Sequence, residues 1–385
     1  MSGLPAPERG QSAELDARRP IVVLLGGPSA EHDVSVVSGN AIGDALEDAG
    51  HPVERVLIDL QGAWWRLPAG IRSGLALTAY DDPVGLDATG PEPTGQAVDR
   101  LAAADPPPVV FIALHGPFGE DGTIQAILEA AGLAYTGSGV TASAVGMDKA
   151  VFKRLVRGLG LPVADWREVT AIRWAADREG VLGELEAFAA GTGDPRLMVK
   201  PARLGSSVGM TLAHEPAERA AALETAFAHD SLALVEAYVV GARDLEVSVL
   251  GNDPARLELY GPGEIVAGHE FYDYAAKYQP GLSQTSPVAE VDAVTRATIL
   301  KIARDTYRAI GAEGFARVDF LLGGSAIYLS EINTIPGFTP ISLFPVMAAA
   351  GGYTFGTVAA RIVELALDRH DRAVGRRLRT EDLPR

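Results

Sequence analysis

Five consecutive apolar residues, Ile21-Val22-Val23-Leu24-Leu25, run directly into Gly26-Gly27-Pro28-Ser29. Apolar residues then recur at helical spacing through Val34, Val37, Ala41, Ile42 and Ala45. A strand that is apolar at every position is buried on both faces, and a strand, a glycine turn and a helix in that order build a parallel α/β unit. Residues 53–60 and 109–114 read as further strands, and 123–131 as a helix ended by Gly132. Ligands of such sheets gather beyond the carboxyl ends of the strands, where Glu31-His32 and His115-Gly116 fall. The stretch 62–108 is rich in Gly, Pro and Asp and carries only weak strand signals.

From about residue 141 the rhythm changes to α+β. A helix over 150–159 precedes a hairpin of 197–199 and 208–212, then a helix over 218–228 and a strand over 232–236. Strands over 245–250, 314–322 and 326–332 follow, with a helix over 293–310 between the first two and a last helix over 358–367. The pattern predicts three domains in series: an α/β domain over 21–140, a central unit over 141–237 and a C-terminal unit over 238–370. A disordered extension is expected over 1–20 and a solvated tail over 371–385.

Composition narrows the chemistry. Lysine and arginine number 33 and aspartate and glutamate 50, a formal net charge of −17. Such a surface repels nucleic acid and anionic lipid, which are held by clustered Lys and Arg. Cysteine is absent, which removes thiolate catalysis and Cys-ligated metal centres. No run approaches the ~18 apolar residues that would span a bilayer, and residues 1–20 lack the apolar stretch of a signal peptide, so a cytoplasmic location is expected. Lysine is scarce, with five (Lys149, Lys153, Lys200, Lys277, Lys301) against 28 arginines. A chain that prefers arginine this strongly raises the question of whether its few compact ammonium groups have specific work.

The sharpest local feature is Ala316-Arg317-Val318-Asp319-Phe320 followed by Tyr328-Leu329-Ser330-Glu331-Ile332-Asn333. Strand side chains alternate, so Arg317 and Asp319 share one face. A turn centred on Ser325 sets Asp319 opposite Glu331 and Arg317 opposite Asn333. Opposed carboxylates ~5 Å apart repel unless a cation intervenes, and carboxylate and amide oxygens suit Mg²⁺ or Mn²⁺. The residues alone also allow a solvated hairpin face.

The loop Lys200-Pro201-Ala202-Arg203-Leu204-Gly205-Ser206-Ser207-Val208-Gly209 offers backbone N–H groups to a polyphosphate or serves as a plain turn. It matches neither a Walker loop nor a Rossmann fingerprint. Lys149, ahead of a helix, could aim at the same anion. In Ile335-Pro336-Gly337 an exposed N–H could hold an oxyanion. His115 could orient a substrate carboxylate or hold structure, and the aromatic run 271–278 reads as a strap or a lid.

Together these segments resemble the D-alanine–D-alanine ligases of the ATP-grasp superfamily. The resemblance runs from Gly26 to about Gly352 through GGPSAEHDVSVVSG, LHGPFGEDGTIQ, GMDKAVFK, VKPARLGSSVGM, EFYDYAAKY, ARVDF and EINTIPGFTPISLFP. It implies a three-domain ATP-grasp architecture, with ATP between the central and C-terminal units. Two D-alanines would be ligated through an acyl phosphate for peptidoglycan precursor synthesis, by a homodimer.

By the same resemblance Lys149, Lys200, Ser207, Glu236 and Asp244 would bind ATP. Asp319, Glu331 and Asn333 would hold two Mg²⁺ or Mn²⁺ ions. Glu31 would meet the first D-alanine's amine, and Arg317 and Gly337 the oxyanions. Ser206, Ser342 and Leu343 would seat the second D-alanine, with His115 also at the substrate. Lys277 and Tyr278 would belong to a closing loop, and Tyr278 is what the family pattern links to D-alanine in place of D-lactate or D-serine. An inactive ATP-binding protein is disfavoured by the full set Lys149, Lys200, Arg317, Asp319, Glu331 and Asn333. Two departures stand out: Asp244 where the family usually has Glu, after a run one residue longer, and Leu204 where an acidic residue is common.

Overall fold

The computed structural model describes residues 19–267 and 283–374. Its first sheet has six strands in the order β4-β3-β2-β1-β5-β6: β1 (Ile21–Gly26), β2 (Val53–Ile58), β3 (Trp64–Arg66), β4 (Thr89–Glu92), β5 (Val109–Ile112) and β6 (Ala134–Tyr135). β1 lies parallel to both β2 and β5, as a strand apolar at every position requires, while β3 and β4 add antiparallel edges. Its alternate residues serve two cores. Val22 and Leu24 pack with helices α2 (Thr94–Ala102) and α3 (Thr123–Ala130). Ile21 and Val23 pack with α1 (His32–Asp48) on the other face.

Helices α4 (Val140–Met147) and α5 (Lys149–Gly158) lead to the second sheet. Its strands are β7 (Trp166–Thr170), β8 (Leu197–Pro201), β9 (Thr211–Ala213) and β10 (Leu232–Ala237), in the antiparallel order β7-β10-β8-β9. Helices α6 (Ala171–Ala176), α7 (Arg178–Thr192) and α8 (Arg219–Phe227) complete this unit, its core built on Trp174, Leu185, Leu223 and Val235.

The third sheet joins β11 (Arg243–Leu250), β12 (Glu258–Ala267), β13 (Ser283–Ser286), β14 (Phe315–Gly323) and β15 (Ala326–Asn333) in the antiparallel order β13-β12-β11-β14-β15. Helix α9 (Ala293–Ala309) covers it. Helix α10 (Leu343–Ala348) and the long α11 (Phe355–Val374) close the described chain.

α11 returns to the beginning. Val358, Ile362 and Val363 join Ile21, Val23, Val109 and Phe111 in one core, completed by Phe315, Phe338 and Phe344. The Arg369 guanidinium lies 3.9 Å from the centre of the Tyr135 ring and donates to the Tyr135 carbonyl at 3.0 Å. The last helix is longer at both ends than the 358–367 expected from spacing, because its exposed face is polar and carries no apolar signal.

Several elements escape a reading by apolar spacing. β7 is an edge strand with Val169 as its one buried residue. β12 contains Gly261-Pro262, which breaks the apparent strand pattern. The fold absorbs it as a bulge, since Glu246 pairs with Gly263 and Ser248 with Tyr260. Val208, read as the start of a strand, remains in the glycine-rich loop, and β9 begins at Thr211.

Candidate active site

A cleft of about 210 Å³ opens between the second and third sheets. Lys149, Lys200, Ser206, Ser207, Glu236, Asp244, Arg317, Asp319 and Glu331 all line it. Residues scattered over 180 positions of sequence therefore meet at one place.

On the third sheet, Asp319 pairs with Glu331 and Arg317 with Asn333, as the hairpin argument expects. The route to that pairing differs. The turn is tighter, with Gly323 opposite Ala326, which sets Phe320 opposite Leu329. An extra residue, Ser330, then bulges out of β15 and restores the pairing at the carboxylates.

The facing carboxylates find cations within the protein. Arg317 grips Asp319 through two parallel bonds, Nε to Oδ1 at 2.8 Å and Nη2 to Oδ2 at 2.7 Å. Its Nε also lies 3.2 Å from Glu246 Oε2. Burial opposes the Arg317 charge, but Asp319 and Glu246 overcome it and hold its pKa well above the ordinary value. Glu331 Oε2 receives Lys149 Nζ at 3.1 Å. Asn333 Nδ2 donates to Asp319 Oδ2 at 2.9 Å. Among the described residues no cluster of three or more His, Cys, Asp or Glu has the arrangement of a metal site. The donor chemistry still fits a hard divalent ion, since two opposed carboxylates and one amide offer only oxygen, Asn333 through its Oδ1.

Lys149 knits this sheet to the glycine-rich loop. Asp148 caps α5 by accepting from the Ala150 and Val151 N–H groups. That sets Lys149 at the first helical position, where its Nζ donates to the Leu204 carbonyl at 2.8 Å. Burial works against its charge, but Glu331 prevails and raises its pKa. In the loop, Ser206 (φ 50°) and Ser207 (φ 57°) both adopt the left-handed conformation that non-glycine residues avoid at a cost of about 1–3 kcal/mol. Successive residues held this way turn backbone N–H groups into a concavity suited to an anion. Leu204, in the same loop, is buried.

Within the same loop Ser206 Oγ donates to Glu31 Oε1. Glu31 is only 5% exposed, and its Oε2 has no hydrogen-bond donor among the described residues. Two glycines leave room for this carboxylate: a Cβ on Gly116 would lie 2.4 Å from Oε2, and one on Gly205 would lie 2.8 Å from it. An orphaned buried carboxylate oxygen, walled by glycines beside a phosphate-shaped loop, is built to receive an ammonium group.

His115 is committed to the protein. Nδ1 lies 3.0 Å from the Ile335 carbonyl and 3.4 Å from Glu120 Oε1, and Nε2 lies 3.0 Å from Ser38 Oγ. Burial would lower its pKa, yet the Glu120 contact raises it. It ties the loop after β15 to the first sheet. Asp121 braces the turn before α3 by accepting from the Phe118 and Thr123 N–H groups, and Gly122 occupies the cap position.

Gly337 has a φ outside the left-handed range, and a Cβ there would meet only Ser342 Oγ, at an ordinary 3.5 Å. Neither backbone conformation nor packing demands glycine there. Ser342 Oγ accepts from the Thr339 N–H at 3.0 Å. The Leu343 side chain packs with Ile265 and Met347, which leaves its backbone for any ligand. Lys277 and Tyr278 lie outside the described residues.

Spacing also missed residues. Lys153 is 1% exposed, and its Nζ lies 2.8 Å from Glu236 Oε1, while Lys200 Nζ lies 2.9 Å from Glu236 Oε2. Burial would raise the Glu236 pKa, but the two ammonium groups bring it down to about 2. The signal was present: Lys153 stands four residues from Lys149, hence on the same helical face, in a chain with five lysines. Glu246 shares its strand face with Asp244 and was likewise passed over.

The N-terminal domain model of the D-ala D-ala ligases matches residues 20–138, and the C-terminal domain model matches 155–364. A D-alanine–D-alanine ligase of Heliobacterium modesticaldum is 41% identical over 378 residues, covering 96% of this chain and 99% of its own. One of Kineococcus radiotolerans is 40% identical over 374 residues, covering 91% and 96%. Among solved structures, the D-alanine–D-alanine ligase of Coxiella burnetii superposes with a TM-score of 0.72 at 29% identity, over 92% of this chain and 97% of its own. The VanG D-Ala:D-Ser ligase of Enterococcus faecalis superposes with 0.74 at 30% identity, over 91% and 99%. These neighbours share the ATP-grasp fold, and likeness of this length in both sequence and structure means that the chain belongs to the D-alanine–D-alanine ligase family.

Proposed function

We propose that this chain joins two D-alanine molecules to D-alanyl-D-alanine, with ATP converted to ADP and phosphate, for peptidoglycan precursors. The observation that carries the reading is the placement of Glu31: an orphaned buried carboxylate oxygen against the glycine-rich loop that lines the cleft. Glu31 takes the first D-alanine's ammonium, which leaves its carboxylate directed at the nucleotide. Lys149, Lys200 and the N–H groups around Ser206 and Ser207 receive the phosphates, with Glu236 and Asp244 towards the nucleoside.

A carboxylate is a poor electrophile, and transfer of the γ-phosphoryl group to it supplies a leaving group. The amine of the second D-alanine, once deprotonated, attacks the acyl phosphate, and phosphate departs. Arg317 and the Gly337 N–H stabilise the oxyanion of the tetrahedral intermediate, each such donor being worth about 10²–10³ in rate. Ser206, Ser342 and the Leu343 backbone seat the second D-alanine, His115 fixes the loop that carries Gly337, and Lys277 and Tyr278 belong to the closing segment. Asp319, Glu331 and Asn333 would hold Mg²⁺ or Mn²⁺, which would supply neutralisation of phosphate charge. The homodimer rests on the family resemblance, the cytoplasmic location on the sequence pattern, and both belong to the same proposal.

ADP release with D-alanine alone, and in competition with D-lactate, D-serine and L-alanine, with the product weighed by mass spectrometry, tests the reading. D-alanyl-D-alanine as the main product is expected. ADP release that does not depend on D-alanine would refute it. The competition matters because one similar structure is named a D-Ala:D-Ser ligase, so overall likeness does not separate the second substrates.

A further inference from the structure

We infer that Lys153 is a positioning residue for nucleotide binding: it stands in as a second counter-charge of Glu236, so that Lys200 is free to leave that carboxylate for a nucleotide phosphate. The inference rests on the ATP reading of the cleft and adds a residue to it.

Lys153, Glu236 and Lys200 come from three elements, α5, β10 and β8. Glu236 is held between two ammonium groups, one at each oxygen, at 2.8 and 2.9 Å. The two lysines are not equivalent. Lys200 lines the cleft, whereas Lys153 does not and is 1% exposed. The Trp166 ring lies over its ammonium, with Nζ 5.4 Å from the ring centre. Lys153 therefore acts on a nucleotide only through Glu236.

A buried carboxylate stripped of its one cation is strongly unfavourable, because desolvation is no longer offset by attraction. If Lys200 were Glu236's single partner, each arriving phosphate would compete with that carboxylate for the same ammonium. A second lysine at the other oxygen removes the competition. The trio also carries a net charge of +1, where Glu236 and Lys200 alone would carry zero and present a neutral pair to an anion. In a chain of net charge −17, that local surplus has to be built in.

The test is ATP binding by calorimetry to the full-length chain, together with steady-state KM and kcat. Lys153→Met keeps length and removes the charge. It should weaken ATP binding by about 10- to 100-fold, the worth of a charge-assisted contact, and raise the ATP KM in step while kcat changes much less. In a Glu236→Gln background there is no carboxylate to neutralise, so adding Lys153→Met should change ATP affinity by less than about twofold. An ATP Kd within twofold of wild type in Lys153→Met would overturn the inference, and so would an equal loss in both backgrounds. If Lys153→Met alone does not fold, the comparison of Glu236→Gln with the double variant decides, since a tenfold gap between them is incompatible with a role exerted through Glu236. Wild-type chain that bound no ATP would instead sink the reading of the cleft itself.

Discussion

Replacing Gly205 by alanine separates the need for space at Glu31 from the need for an unusual backbone. Gly205 has a φ outside the left-handed range, so an alanine costs no backbone strain. Its Cβ would lie 2.8 Å from Glu31 Oε2, 3.0 Å from Oε1 and 3.2 Å from the carboxyl carbon. Ordinary contact begins near 3.4 Å, so the carboxylate must retreat by roughly half an ångström, and it sits at the flexible end of its side chain. A misplacement of ~1 Å at a reacting centre costs ~10²-fold in rate, which scales to roughly tenfold here.

The expected outcome is an apparent D-alanine KM about ten times higher in an ADP-release assay at saturating ATP, with a melting temperature within ~2 °C of wild type. Gly183, in α7, is the control, because a Cβ added there would have nothing within 4 Å of it. Gly183→Ala should leave KM unchanged and stabilise by about 0.5–1 kcal/mol. An unaltered D-alanine KM in Gly205→Ala would refute the seat assigned to Glu31. A melting temperature lowered by more than ~5 °C would show that the glycine serves the loop's own backbone.

Glu331→Gln removes one carboxylate from the proposed metal pair and the ion partner of Lys149; ADP release should fall at least ~10²-fold and the Mg²⁺ needed for half-maximal rate should rise. Turnover with unchanged Mg²⁺ dependence would take Glu331 out of that pair. Phe344 is fully buried, with Phe315 and Phe338 at ring-centre distances of 5.5 and 5.7 Å, so Phe344→Ala should cost about 3–5 kcal/mol in urea unfolding; a loss below ~1 kcal/mol would mean that the aromatic cluster collapses around the gap. The acid limb of stability has a definite sign at Glu236, whose folded pKa lies at about 2 against an ordinary 4.5. Its contribution is complete above about pH 4.5 and fades as pH falls towards 2, so urea midpoints measured down this range should drop less steeply in Glu236→Gln than in wild type.

What the sequence revealed follows from where its information is local. β1 was legible because a strand buried on both faces is apolar throughout, and the facing of Asp319 and Glu331 because alternation and one short turn suffice to derive it. Even there two errors cancelled: a turn placed one residue too wide was offset by the bulge at Ser330. The edge strand β7 stayed hidden because one buried side chain in five gives no period, and β12 because Gly261-Pro262 looks like a stop unless the partner strand is known to accommodate a bulge. At the site, the motif residues stood out as types in unusual company. Lys153 and Glu246 did not, since a lysine four positions along a helix and a glutamate on a strand look solvated until the structure buries them. His115 was visible as a residue of interest, but only the fold brings both its ring nitrogens against other parts of the chain.

The union of α11 with the first sheet has a bearing on biosynthesis. Ribosomes extrude β1, β2 and β5 early, yet the helix that seals one side of that sheet is translated some 240 residues after β5 ends. At ~5–20 residues per second, the nascent chain waits roughly 12–50 s with Ile21, Val23 and Phe111 lacking that cover. A stop codon anywhere before residue 355 would thus strand an oily platform at the N-terminal end of the product, making premature termination a route to clumping as well as to lost catalysis.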